Sequence, residues 1–172
     1  MEIVQRHDPI LRAQAAEVPL ADISTPRIKN VIADMKRILA TQHDGVAIAA
    51  PQIGHSLRIF VVSKKVFALE EDNEDTAQYE DLTFINPTIT RMSKKMKAVD
   101  EGCLSVRYLY GKVMRAEKAT VVAYDEHGKK FTRHGSGLLA QVFQHETDHL
   151  DGTLFIDKAT DLQEIPPEDS AH

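Results

Sequence analysis

Tryptophan is absent from this 172-residue chain, cysteine occurs once, and aromatic residues make up only 6%. A single cysteine excludes an internal disulfide, and a reducing cytoplasm is the simplest compartment for such a chain. The lone thiol is either a small buried hydrophobe or a reactive or ligating group. Long apolar runs are missing too: stretches such as Ile59–Val62 are far too short to cross a bilayer. No secretory signal is expected at the N-terminus, because MEIVQRHDPILR is charged and broken by Pro9. Nor is there an excess of positive charge. With 21 Lys and Arg against 26 Asp and Glu the formal net charge is −5, a poor starting point for a nucleic-acid binder, which wants a basic face. No nucleic-acid motif and no internal repeat is found.

What is present fits one globular domain: 42% apolar and 27% charged residues over a length that suits a single core. Residues 1–23 read as an irregular lead-in punctuated by Pro9 and Pro19. In STPRIKNVIADMKRILATQ, Ser24 or Thr25 can cap a helix, Pro26 suits its first turn, and Ile28, Val31, Ile32, Met35, Ile38 and Leu39 follow helical spacing. A small, apolar, glycine-bounded stretch follows at 45–54, then a strand-like run at 57–63. Residues 70–81 hold seven acidic residues and no basic one, which predicts an exposed loop. Strands are expected at 82–92 and 96–105, and a hairpin at 118–126 and 129–134 around His127-Gly128. Gly137–Gly152 reads as a second helix whose apolar Leu138, Leu139, Val142 and Phe143 mark it as buried. The order predicts an α+β fold with a long central helix against antiparallel sheet. The domain is expected over 1–160, with a polar, proline-broken, frayed tail over 161–172.

The buried helix carries His145-Glu146-Thr147-Asp148-His149, an H-E-x-x-H. Four residues advance a helix by one turn plus roughly 40°, so both imidazoles leave one face and can converge on one metal. Glu146 can reach a water on that metal. A solvated pair on an exposed face is the competing reading, and the apolar surroundings count against it. A catalytic metal usually takes three protein ligands and leaves one position for water. A histidine six residues past His149 would continue one peptidase class, but Phe155 stands there. Glu164 and Glu168 lie in the loose tail. Cys103, in Glu101-Gly-Cys-Leu-Ser105, is the remaining soft donor.

Three segments together resemble the signature blocks of peptide deformylases: GVAIAAPQ at 45–52, EGCLS at 101–105 and QHETDHLDG at 144–152. Their order and spacing also fit, and HDPILR at 7–12, SLRIFVV at 56–62, INP at 85–87 and VMRAEK at 113–118 are similar to family text. The resemblance extends to about Ile156. It implies the family fold, with the H-E-x-x-H helix surrounded by sheet, and an enzyme that removes the N-formyl group from the formyl-methionine of newly made polypeptides, releasing formate. It implies Cys103, His145 and His149 as metal ligands and Glu146 as the acid/base. Gln52 and the backbone N–H of Leu104 would form the oxyanion hole. Fe(II) is the favoured native ion, with Zn(II), Ni(II) or Co(II) as replacements.

The resemblance also implies that Glu101 pairs with Arg115 and holds the EGCLS segment. A peptide is expected to add as a strand beside 45–50. Val46, Ala47, Ile48, Gly102, Val99, Leu138, Gln141 and Val142 are the expected substrate-binding residues. Formyl-methionyl nascent peptides are the expected partners, with transient ribosome contact and no membrane. The setting is the cytoplasm, or an organellar matrix in a eukaryotic host. One departure stands out. Most family members have a second glycine in block one where this chain has Ala47. Alanine tolerates positive φ poorly and its methyl can crowd a ligand, so a low-activity, divergent deformylase is one alternative. A zinc metallopeptidase of another specificity is the other, although that class has no need of EGCLS.

Overall fold

The computed structural model describes residues 1–167. The lead-in contains two short 3-10 turns, Pro9–Arg12 and Leu20–Asp22. Helix α1, Pro26–Thr41, buries the six apolar positions expected of it. Pro26 occupies its first turn, but the Thr25 hydroxyl does not cap it, donating instead to the Asp22 carbonyl at 2.6 Å. Strand β1, Ala47–Ala49, and a 3-10 turn, Ala50–Ile53, make up the small apolar stretch. Then come β2, Ile59–Val62, and α2, Lys64–Glu70, a helix the periodicity did not disclose. The Ser63 hydroxyl accepts from the Lys65 N–H at 3.3 Å and starts it. Most of the acidic 70–81 stretch is exposed, as expected, and it includes a 3-10 turn at Thr76–Gln78 with no buried residue.

Strands β3, Leu82–Met92, and β4, Met96–Cys103, are followed by β5, Val106–Ala116. β5 lacked a clean alternating signal. β6, Lys118–Tyr124, and β7, Lys130–Ser136, are the expected hairpin. α3 runs Gly137–Leu150, and β8, Thr160–Glu164, closes the described fold.

The eight strands form two antiparallel sheets, ordered β1-β2-β3-β6-β7 and β4-β5-β8. Side chains alternate across a strand, so β2 divides its apolar residues between two cores. Ile59 and Val61 join the α1 side, with Ile28, Met35 and Ile85. Phe60 and Val62 join the α3 side, with Phe84, Leu139 and Phe143. Phe60 stacks on Phe84 with ring centroids 4.6 Å apart, and Phe143 meets Phe84 edge-on at 5.3 Å. Fully burying each such ring is worth about 1.5–3 kcal/mol.

α3 packs against strands of both sheets, the central position the sequence predicted. Gln144 fastens it to the end of β5: its side chain accepts from the Ala116 N–H at 2.9 Å and donates to the Ala116 carbonyl at 3.0 Å. Gln163 and Glu164 of the tail pair with Tyr110 and Leu109 of β5, so the start of the tail is tied to a sheet edge and not frayed. Residues 168–172 of that tail, Glu168 included, lie outside the described residues. No helix among the described residues is long and apolar enough to cross a membrane.

Candidate metal centre

His145 and His149 lie one turn apart on α3 with ring centroids 4.9 Å apart. Cys103 comes to them from the end of β4. The β4–β5 register slips between Glu101 and Cys103, a bulge of the kind that re-aims a side chain. Leu104 and Ser105 then turn the chain into β5, and Gln5 Nε2 pins this turn by donating to the Leu104 carbonyl at 3.1 Å. Cys103 Sγ lies 3.2 Å from His149 Nε2. One donor atom from each of Cys103, His145 and His149 falls within 4.8 Å of the others. Ligand atoms on a tetrahedral ion with Zn–S ~2.3 Å and Zn–N ~2.0 Å sit roughly 3.5 Å apart. The three donors therefore fit a single divalent ion with little adjustment.

The electrostatics agree with that fit. Burial pushes the Cys103 thiol up, but the His149 and His145 rings beside it outweigh burial and hold it at about 5, so the sulfur is ready as the thiolate a metal requires. Burial disfavours a charged His145, yet Cys103, Glu101 and Glu146 raise it well above its ordinary value. His145 Nδ1 lies 2.7 Å from Glu101 Oε1, which turns Nε2 toward the thiol, the orientation an outer carboxylate commonly imposes on a ligating histidine.

Glu101 is in turn gripped by Arg115, Nε and Nη2 donating at 2.8 and 2.6 Å. Arg115 Nη1 reaches Asp148 at 2.7 Å, and Lys158 reaches Asp148 at 3.0 Å. Burial alone would raise Glu101; the Arg115 and His145 hydrogen bonds bring it down to about 2. Glu146 is 4% exposed, and its Oε2 has no hydrogen-bond partner. Burial raises its carboxyl, and the two imidazoles only partly oppose this.

Gln52 approaches from the other side. Its Oε1 accepts from the Ala49 N–H at 2.8 Å, which forces the amino end toward Ser105 Oγ at 3.1 Å and Cys103 Sγ at 3.6 Å. β1 is a sheet edge. The Ser63 N–H donates to the Val46 carbonyl at 2.8 Å, and antiparallel alternation then points both backbone groups of Ala47 off the free edge. Ala47 has no positive φ, so the strain expected there is absent: a strand position suits alanine as well as glycine. Its methyl turns into the α3-side core.

A cavity of about 600 Å³ opens over Cys103, His145 and Glu146. Val46, Ala47, Gly102, Leu138, Gln141 and Val142 line it, together with Gln52 and Leu104. Two expected substrate-binding residues are placed elsewhere. Ile48 points into the α1-side core, fully buried, because it alternates with Ala47, and the same alternation turns its backbone groups toward β2. Val99 pairs with Val113 across β4–β5 and is not among the residues lining the cavity. Sequence reasoning missed Arg107, Tyr108, Tyr110 and Ile165–Pro167, which complete the rim. It also missed Asp148 and Lys158 beneath Arg115. The acidic Asp148 inside the H-E-x-x-H was the available signal for a basic partner.

A family model described as polypeptide deformylase matches residues 1–164. Peptide deformylase 1A, chloroplastic/mitochondrial, of Arabidopsis thaliana is 38% identical over 163 residues, covering 91% of this chain and 60% of that protein. The chain thus spans about three fifths of that relative's length. Peptide deformylase of Dehalococcoides mccartyi (strain CBDB1) is 38% identical over 170 residues, 97% of this chain and 92% of the relative. Among solved structures, peptide deformylase 1B of Arabidopsis thaliana in complex with an inhibitor superposes with a TM-score of 0.80 at 34% identity, over 94% of this chain and 82% of that one. A peptide deformylase from Synechococcus elongatus in complex with actinonin gives 0.80 at 31% identity, over 94% and 81%.

Proposed function

The chain belongs to the polypeptide deformylase family, and from that premise we propose that it hydrolyses the N-formyl group from the formyl-methionine of newly made polypeptides, releasing formate and a free amine. The observation that carries this reading is the convergence of Cys103, His145 and His149 beside a buried Glu146 carboxylate whose Oε2 is unpartnered. The other family features support it, and the metallopeptidase alternative is not favoured.

Cys103, His145 and His149 would hold one divalent ion. When bound, the ion supplies positive charge that acidifies a water and polarises a carbonyl. Fe(II) is our choice of native ion and Zn(II), Ni(II) or Co(II) suit the same donors. Glu146, with no competing donor and a raised affinity for protons, takes the proton of the attacking water and returns it to the leaving amine. The Gln52 amino group and the Leu104 N–H face the formyl oxygen as charge grows on it; one such donor is worth ~3 kcal/mol in a water-poor site.

The peptide lies along the free edge of β1, exchanging main-chain bonds with Ala47, and its first side chain enters between Val46, Leu138 and Val142. Main-chain recognition is tolerant of sequence, as an enzyme for many nascent chains requires. The setting is wherever chains begin with formyl-methionine, in bacterial cytoplasm or an organellar matrix, with transient ribosome contact.

The test is anaerobic purification with elemental analysis, followed by formate release from formyl-Met-Ala and incubation with blocked, unformylated peptides. Formate release without backbone cleavage supports the proposal. Backbone cleavage without formate overturns it.

A further inference from the structure

The mouth of the cavity has a wall that neither the ligands nor Glu146 require. It is built from the start of β5 and from the segment that follows β8. Tyr108 and Tyr110 stand there 43% and 39% exposed, beside Ile165, Pro166 and Pro167. Tyr108 has φ +68°, a region a bulky side chain enters only when its surroundings impose it. What imposes it is visible: β8 pairs Leu109 with Glu164 and Tyr110 with Gln163, and the Ile165 N–H donates to the Tyr108 carbonyl at 2.8 Å. Pro166 and Pro167 have no N–H, so the ladder cannot continue. The chain leaves β5 there as a stiff extended segment along the cavity rim.

The wall is also seated on the metal-ligand segment. A Cβ on Gly102 would lie 2.8 Å from the Tyr110 ring, and one on Gly111 would lie 2.9 Å from Leu162. Glycine at both positions lets Tyr110 lie directly on the residue before Cys103 while β8 packs close behind it.

Resting on the deformylase reading above, we propose that Tyr108, held by Ile165–Pro167, is a specificity-determining wall for the third residue of the formylated peptide, favouring a large apolar or aromatic side chain there. An extended peptide advances about 3.3 Å per residue. With its formyl group at Cys103 and Glu146, and its first side chain against Val142, the third residue is the one that reaches the mouth, where tyrosine and proline faces present apolar surface. Covering an exposed aromatic ring with an apolar side chain removes apolar area from water.

The experiment compares kcat/KM for formyl-Met-Ala-Tyr, formyl-Met-Ala-Gly and the dipeptide formyl-Met-Ala in the parent, Tyr108→Gly, Tyr108→Phe and Ile165→Pro, the last removing the anchoring N–H. The parent should prefer the Tyr tripeptide over the Gly tripeptide about ten-fold, mostly through KM. Tyr108→Gly and Ile165→Pro should reduce that ratio to near one, and Tyr108→Phe should keep it. Dipeptide turnover should stay within about two-fold of the parent throughout. An unchanged ratio in both disrupting variants, or dipeptide and tripeptide rates falling together, overturns the proposal. If no formylated peptide is turned over by the parent, the activity reading has failed. The wall is then judged by calorimetric binding of the unformylated Met-Ala-Tyr and Met-Ala-Gly: a parent preference lost in Tyr108→Gly sustains it, and equal affinities end it.

Discussion

Glu101 and Glu146 both act on His145 and are 5% and 4% exposed, yet their carboxyls behave in opposite ways. Glu101 belongs to the floor of the site, where Arg115, His145, Asp148 and Lys158 form a continuous set of paired charges. It is held at about 2. Glu146 faces the cavity, has an oxygen without a partner, and is raised. Burial penalises both carboxylates, so the number of donors aimed at each decides the outcome. The floor is built to hold one arrangement, while the cavity side leaves a carboxylate oxygen without a donor.

The largest effect should come from breaking the floor. Arg115→Ala leaves Glu101 buried without its main partner, and removing one member of a buried pair typically costs about 3–5 kcal/mol. Urea unfolding of the metal-free protein would show it. His145 loses its orientation as well, and metal affinity should fall by roughly ten- to a hundred-fold. A variant that unfolds with the parent would erase the difference between Glu101 and Glu146.

Glu146→Gln should do the reverse. Formate release drops by about 10²–10⁴, while metal content by elemental analysis is kept. The raised carboxyl of Glu146 means that its ionised form is disfavoured in the folded metal-free chain. Above that carboxyl's titration the amide variant should therefore melt no lower than the parent.

The third effect is a pH dependence. Glu101 is depressed from an ordinary 4.5 to about 2. Its contribution is complete above pH 4.5 and is lost as pH falls toward and through 2. The sum is on the order of 3 kcal/mol by linkage. The slope of stability against pH in the metal-free parent and in Glu101→Gln should differ between pH 4.5 and 2 alone, the offset above that window being constant; identical acid limbs would remove Glu101 as the cause. The smallest effect belongs to Lys158→Ala. Lys158 is 46% exposed in its pair with Asp148, so the cost should be under about 1 kcal/mol, screened by salt, with formate release unchanged.

Much of this molecule is legible in its sequence. α1 and α3 announced themselves through apolar spacing, and the β6–β7 hairpin through its turn residues. β5 did not, because its sequence mixes buried Val113 and Arg115 with exposed Met114 and Tyr108, and a buried arginine disguises an inward-facing position. α2 was hidden for a related reason: seven residues are too few to establish a helical period. The side chains of Ile48 and Val99 lie outside the cavity lining, because strand register decides which face a side chain takes and the motif text does not contain that register. The wall at Tyr108 was invisible because its two halves lie more than fifty residues apart.

The amino-acid sequence by itself determined the chemistry on offer: two imidazoles and a carboxylate on adjacent turns of a buried helix, one thiol between a glycine and a turn, and an amide after a small apolar run. Those are local facts, set by helical and strand periods acting over a few residues. Only the tertiary structure decided that the thiol meets His149 across 46 residues, that Glu101 and Glu146 part company, and that Ile165–Pro167 borders the cavity. Each of these depends on sheet register and on how two sheets close around α3. Such long-range pairings are selected by the summed packing of the whole chain, which no short stretch of sequence contains.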